Sequence, residues 1–108
     1  MFCAIYEFVL NDQIGRDDLC LVWREMSVFM KERAGTVGSR LHADDADQHR
    51  FIAYSQWPDR ETWAAGRKLL LESEHGLRLM QRLAHICRSR IICESSVVED
   101  LLTGHGAG

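Results

Sequence analysis

Arg50-Phe51-Ile52-Ala53-Tyr54-Ser55-Gln56-Trp57-Pro58-Asp59-Arg60-Glu61-Thr62-Trp63 is the stretch whose reading decides the fold. Its first part alternates as a β-strand, with Phe51, Ala53, Ser55 and Trp57 on one face and Ile52, Tyr54 and Gln56 on the other. Apolar groups on both faces predict a strand that is covered on both sides. Pro58 ends it, because proline has no N–H to give to a ladder. Asp59 is then placed to cap a helix. That helix is expected over residues 60–71, with Trp63, Ala64, Arg67 and Leu70 along one side.

Upstream, residues 36–43 read as a partner strand, with Val37, Ser39, Leu41 and Ala43 alternating against Gly38, Arg40 and His42. The polar run Asp44-Asp45-Ala46-Asp47-Gln48-His49 is the hairpin loop between them. Its aspartates are a solvated turn without the spacing of an EF-hand. Further upstream lies an amphipathic helix over residues 16–33. Its stripe of Leu19, Val22, Trp23, Met26, Phe29 and Met30 repeats at helical spacing. Asp17 and Asp18 in its first turn and Lys31 and Arg33 in its last suit the helix dipole, and Gly35 is a natural left-handed stop. Residues 2–10 form an opening strand, apolar on both faces except at Glu7, which needs a partner.

Downstream, Ser73 caps a second helical segment over residues 74–87, with Leu77, Met80, Leu83, Ala84 and Cys87 facing inward. The soft boundary Glu72-Ser73-Glu74 leaves open a single kinked helix. Residues 90–100 are the last strand, with Ile91, Cys93 and Val97 opposing Ile92 and Val98. Residues 103–108 are Gly-rich and terminal and are expected to be a disordered tail, leaving one domain over residues 1–102.

The order β-α-β-β-α(α)-β, with right-handed crossovers, predicts an α+β domain: a ferredoxin-like antiparallel sheet with helices on one face. Since the first, third and last strands are apolar on both faces, the uncovered face needs another apolar surface. A second copy of the same sheet supplies one, predicting a homodimer through the sheet face.

Composition narrows the function classes. A chain of 108 residues with 46% hydrophobic and 27% charged residues is ordinary globular material. The net charge of −3 and the lack of a basic stripe argue against nucleic acid as a partner. No apolar run is long enough to span a membrane. The start Met1-Phe2-Cys3-Ala4-Ile5 lacks a signal-peptide pattern, so a cytoplasmic location is expected. Cys3, Cys20, Cys87 and Cys93 show neither C-x-x-C nor zinc spacing and read as small buried hydrophobes; no metal site is expected. Their even count would permit disulfides only in a secreted protein.

Four segments resemble the antibiotic biosynthesis monooxygenase (ABM) group of dimeric α/β-barrel proteins. They are the opening strand Phe2-Cys3-Ala4-Ile5-Tyr6-Glu7-Phe8, the turn and helix bearing Trp23, the segment Gly38-Ser39-Arg40-Leu41-His42, and the run from Phe51 to Trp63 with its strand-Trp-Pro-Asp-x-Glu-x-Trp pattern. The resemblance covers most of residues 2–65. It implies a dimeric α/β barrel that hosts cofactor-free quinol monooxygenases, haem-degrading enzymes and members without assigned activity. For the oxygenases it implies no cofactor, neither metal nor flavin, and a small aromatic substrate that is itself the reductant. Such an enzyme must bind a flat ring, remove a phenolic proton and hold the anion beside O2. A positioned base contributes roughly 10²–10⁴-fold, and a dry pocket with aimed donors supplies the rest.

The candidate residues follow from these expectations. His42 and Tyr54 are the catalytic candidates, as base and phenol, with Arg40 on the same strand face as His42 to clamp an anion; the alternative is a polar cluster at the dimer seam or sheet edge. Trp57 is a candidate wall of the ligand pocket or a core residue under the Pro58 turn. Trp63 and Trp23 lie on apolar helix stripes, with Trp63 the better placed to line a pocket. His75 is a further candidate ligand contact. In haem-degrading members a helical His ligates iron, but Ser73-Glu74-His75-Gly76 lacks that pattern and reads as a helix-terminal surface stretch. Glu7 is expected to pair with Arg40 or Arg90, or else to be a buried base with a raised pKa. Three functions follow: a cofactor-independent monooxygenase of a quinol or aromatic polyphenol, a non-catalytic dimer binding a small apolar ligand, and, disfavoured, a haem protein.

Overall fold

The computed structural model describes residues 1–102, so the expected tail over 103–108 lies outside the described residues. The elements are β1 (Phe2–Leu10), α1 (Arg16–Arg33), β2 (Gly38–Ala43), β3 (Arg50–Trp57), α2 (Arg60–Glu72), α3 (Glu74–Ile86) and β4 (Cys87–Ser96). The strands form one antiparallel sheet in the order β2-β3-β1-β4. This is the ferredoxin-like arrangement that the order of elements predicts. Among the described residues no helix is long and apolar enough to cross a membrane.

Local chemistry sets the boundaries. The Asp59 carboxylate accepts from the Thr62 N–H at 2.7 Å and starts α2. Ser73 closes α2 and opens α3, its hydroxyl accepting from the Gly76 N–H at 3.0 Å, so these are two helices sharing one cap residue. Gly35 ends the α1 turn at φ 84°, a conformation that costs a side chain strain.

Sheet and helices close on one core. Phe8, Leu10, Phe51 and Ala53 from the sheet meet Leu19, Val22 and Phe29 of α1, Leu70 of α2, and Leu79 and Leu83 of α3. A second cluster joins Phe2, Ala4, Trp57 and Trp63. Each large side chain buried in this way stabilises the fold by roughly 1.5–3 kcal/mol.

The chain departs from expectation mostly after residue 60. In α2 the buried side is Trp63, Gly66 and Leu70; Ala64 is exposed, and Arg67 is exposed while also lining the cavity described below. In α3 the buried side is Gly76, Leu79 and Leu83, while Leu77 is 45% exposed and Ala84 is exposed. The abrupt turn at Ser73 fixes the rotation of α3, which its own leucines leave ambiguous. β4 starts at Cys87, directly after α3, because Leu10 pairs with Cys87 and because the Asn11 N–H and side chain bond Ile86 and His85 carbonyls, both at 3.0 Å.

A bulge also resets the alternation of β4. Ile5 pairs with Cys93, but Tyr6 pairs with Ile91, leaving Ile92 as the extra residue. Ile91 therefore packs under the helices, whereas Cys93 shares the open face with Ile5 and is exposed. The expectation that both lie on one face of a regular strand is overturned.

The open face is apolar along β1 and β3 only, where Ile5, Val9, Ile52 and Tyr54 are half-buried. On β4 it carries Arg88 and Arg90, contrary to the expected apolar strand. Glu7 ties this face together, accepting from Arg50 Nε at 2.6 Å and Arg90 Nε at 2.8 Å, and Arg50 also binds Asp44 at 3.0 Å. Arg90 is thus one partner of Glu7, but Arg50 takes the place expected for Arg40. The hydrogen bonds from Arg90 and Arg50 hold the Glu7 carboxyl below its usual range, which overturns the reading of a raised-pKa base.

Candidate functional site

Between the helices and the sheet lies a cavity of about 270 Å³. It is nearly twice the size of an engineered apolar cavity, roughly 150 Å³, that holds a benzene molecule. Trp23, Met26 and Met30 of α1 and Met80 and Leu83 of α3 form its apolar wall. The three methionines adapt to irregular shapes, as thioether chains do. Phe8, Ala53 and Ile91 form the floor on the sheet side.

One group of polar side chains gathers around Tyr6, while Ser27, Thr36, Ser39 and Ser89 line the cavity elsewhere. The Tyr6 hydroxyl oxygen accepts from Trp63 Nε1 at 2.8 Å. Ser55 stands on the neighbouring strand at the position facing Ala4, and its hydroxyl accepts from Trp57 Nε1 at 3.1 Å. Arg67 of α2 places its guanidinium 5.2 Å from the Trp63 ring, in the range of a cation–π contact, while lining the cavity. Burial pushes the Tyr6 phenol above its ordinary value, against the opposing pull of the Trp63 N–H, the Arg67 charge and Ser55. Tyr6 is therefore a neutral phenol at physiological pH.

Sequence position explains this geometry. Tyr6, Ser55 and Trp57 all fall in the helix-facing frame of their strands. Trp57 is 1% exposed, and its ring fits against α2 only because residue 66 is glycine: a Cβ there would lie 2.8 Å from Trp57 Cη2. Trp63 packs on Phe2, with ring centroids 5.0 Å apart.

The sequence-predicted residues fall into two groups on opposite faces. Trp57 and Trp63 lie on the helix side, Trp57 in the cavity wall and Trp63 behind Tyr6. Arg40, His42 and Tyr54 do come together, Arg40 opposite Tyr54 and His42 opposite Ile52, but on the open face of the sheet. There the Tyr54 hydroxyl is 3.1 Å from Cys3 Sγ and 3.3 Å from Gln56 Oε1. The hydrogen bond with Cys3, together with burial, pushes the Tyr54 phenol up to about 12. His75 is exposed on α3, its ring 5.8 Å from that of Phe29, and it does not line the cavity. The residues that sequence reasoning passed over are Tyr6, Ser55 and Arg67. Their signal was present: two hydroxyls in inward strand frames and an arginine on the inner stripe of a helix. Among the described residues no three His, Cys, Asp or Glu side chains cluster closely enough to hold a metal ion.

No protein-family model matches the chain, and no curated protein matches it significantly. Solved structures do. SnoaB, described as a cofactor-independent oxygenase from Streptomyces nogalater, superposes with a TM-score of 0.76 at 13% identity, covering 93% of this chain and 95% of its own. A protein described as an antibiotic biosynthesis monooxygenase gives 0.70 at 19% identity, covering 92% and 100%. A dimeric ferredoxin-like protein from an uncultured marine organism gives 0.69 at 14% identity, covering 94% and 99%. The chain shares the fold of these proteins.

Proposed function

We propose that a chain with the fold of the cofactor-independent oxygenase SnoaB is itself a cofactor-independent monooxygenase of the ABM type, acting on a quinol or other phenolic aromatic. One observation carries this reading: a partly open, largely apolar cavity in which Tyr6, Ser55 and Arg67 stand together, with Trp63 bonded to the Tyr6 oxygen. Such a site is built for a flat ring bearing one or a few oxygens. In the reaction the ring is the reductant. A ring C–H becomes a carbonyl, the second oxygen atom leaves as water, and the four electrons that O2 takes up come from the substrate. The protein's share is to hold the ring away from water and to stabilise negative charge on the phenolic oxygen. Trp57 and the methionines do the first. Tyr6 and Arg67 do the second.

The working unit in this proposal is a homodimer closed through the open sheet face, as one of the structural neighbours is described as dimeric. The half-buried Ile5, Val9, Ile52 and Tyr54 support it. Arg40 and His42 then belong to the seam between copies, while Tyr54, with its hydroxyl on that face, also borders the cavity.

Oxygen uptake by the metal-free protein with a panel of hydroquinones and naphthols tests the catalytic reading. Uptake above autoxidation, lowered tenfold or more in Tyr6→Phe, is the expected result. A panel that binds without any uptake overturns it in favour of a ligand-binding dimer, a reading to which the absence of any imidazole or carboxylate among the lining residues lends weight.

A further inference from the structure

We propose that the cavity takes its substrate as a preformed oxyanion, an acidic phenol or enol that arrives already ionised, with its oxygen held between the Tyr6 hydroxyl and the Arg67 guanidinium. This rests on the oxygenase reading for its purpose but not for its chemistry, since it concerns which ionic form binds.

The first observation is a missing proton acceptor. β1 presents Tyr6, and β3 presents Ser55; the Tyr54 hydroxyl is engaged with Cys3 and Gln56 on the other face. The lining residues of α1 and α3 are Trp23, Met26, Ser27, Met30, Met80 and Leu83, none of them ionisable. β4 presents Ile91; Arg90 lines the cavity, but its guanidinium is committed to Glu7 on the open face. Glu94, whose charge acts on Tyr6, is paired with Arg60. No lining residue is a base that titrates near neutrality.

The second observation is a ready-made anion site. Trp63 Nε1 donates into the Tyr6 oxygen, so that contact does not use the Tyr6 O–H proton, which a bound oxyanion can take from the neighbouring Ser55. Donation into a hydroxyl strengthens the bond it makes in turn. Burial keeps that phenol protonated, so the donor persists at neutral pH. Arg67 sits beside the same cluster, over the Trp63 ring, and its charge acts on the Tyr6 phenol. A guanidinium at the edge of an apolar cavity favours an anionic occupant.

Binding of 4-nitrophenol, whose ionisation is read by its visible absorbance, tests this directly. The compound is titrated with pH free and bound to the full chain. The expected result is a bound pKa lowered by about one unit, a tenfold preference for the anion. In Arg67→Gln the shift reverses sign, because an apolar cavity alone favours the neutral phenol, and Tyr6→Phe shrinks it. Both substitutions are read against unchanged urea unfolding midpoints. A raised bound pKa in the parent protein, or no binding at millimolar concentration, overturns the inference. A lowered pKa with no oxygen uptake retains it and removes the oxygenase reading. Uptake whose pH inflection ignores the pKa of the substrate does the reverse.

Discussion

Replacing Gly66 by alanine sets two effects of known size against each other. In a helix interior the change gains roughly 1 kcal/mol. Here the new Cβ would lie 2.8 Å from Trp57 Cη2, 3.1 Å from Trp57 Cζ3 and 3.1 Å from the Ala34 Cβ. The Trp57 ring can yield only toward the cavity it borders, being 1% exposed with its N–H bonded to Ser55. Overpacking of this kind costs roughly 1–3 kcal/mol, and three close atoms put this case at the upper end. The net loss is about 1–2 kcal/mol, a fall in Tm of roughly 4–16 °C for a domain of this size. In the Trp57→Phe background both offending ring atoms are gone, and the same Gly66→Ala change becomes stabilising by up to about 1 kcal/mol. The two sites therefore couple by about 2–3 kcal/mol. Urea unfolding of the four proteins at one fixed concentration measures this. A cycle additive within about 0.5 kcal/mol, or a Gly66→Ala protein as stable as its parent, refutes the close approach of α2 to Trp57.

Two other expectations concern the charged side chains and the open face. Glu7, Asp44 and Asp59 are held below their ordinary pKa values by their arginine and N–H partners, so the stability they contribute is present above those values and is lost as pH falls from near 4.5. Tyr54, raised from 10.0 to about 12, contributes below 10 and loses that contribution as pH rises toward 12. Urea midpoints followed across pH should bend at both ends, with Glu7→Gln flattening the acid limb and Tyr54→Phe the alkaline one; flat limbs in the parent contradict the assignment. For the dimer, Ile5→Lys puts a charge on the half-buried centre of the open face and should leave a monomer by light scattering, whereas a persistent dimer means that the copies meet elsewhere.

The first half of the chain was legible because its signals are redundant. In β1, α1 and β3 the periodicity, the turn residues and the Asp59 cap all agree, and the boundaries match the structure. In α3, Leu77, Leu79 and Leu83 fit more than one helical face, and only the turn at Ser73 decides that Leu79 goes inward. The bulge at Ile92 has no sequence signal, because it is set by what β1 requires of its neighbour across the sheet. The site followed the same logic. Trp57 and Trp63 were visible as large aromatics near a strand end. His42 and Tyr54 attracted attention as chemistry-bearing residues, but strand alternation puts them on the face away from Trp57. Tyr6 was hidden by its own context, since in an apolar strand it reads as one more core aromatic until its hydroxyl is seen to meet Trp63.

The sheet order β2-β3-β1-β4 has a consequence for how the chain reaches its folded state. β1 is an interior strand, yet its partners are residues 50–57 and 87–96. During synthesis residues 2–10, with Phe2, Ala4, Tyr6, Phe8 and Leu10 along one side, must stay unpaired until residues 50–57 have left the ribosome, and one edge stays open until residues 87–96 follow. Closing such distant contacts slows folding, and an unpaired apolar strand is the kind of segment that aggregates while it waits. The centre of the finished sheet is thus the chain's greatest exposure on the ribosome. Glu7, the single charge in that strand, is both the later anchor for Arg50 and Arg90 and, in the nascent chain, the residue that interrupts its stickiness.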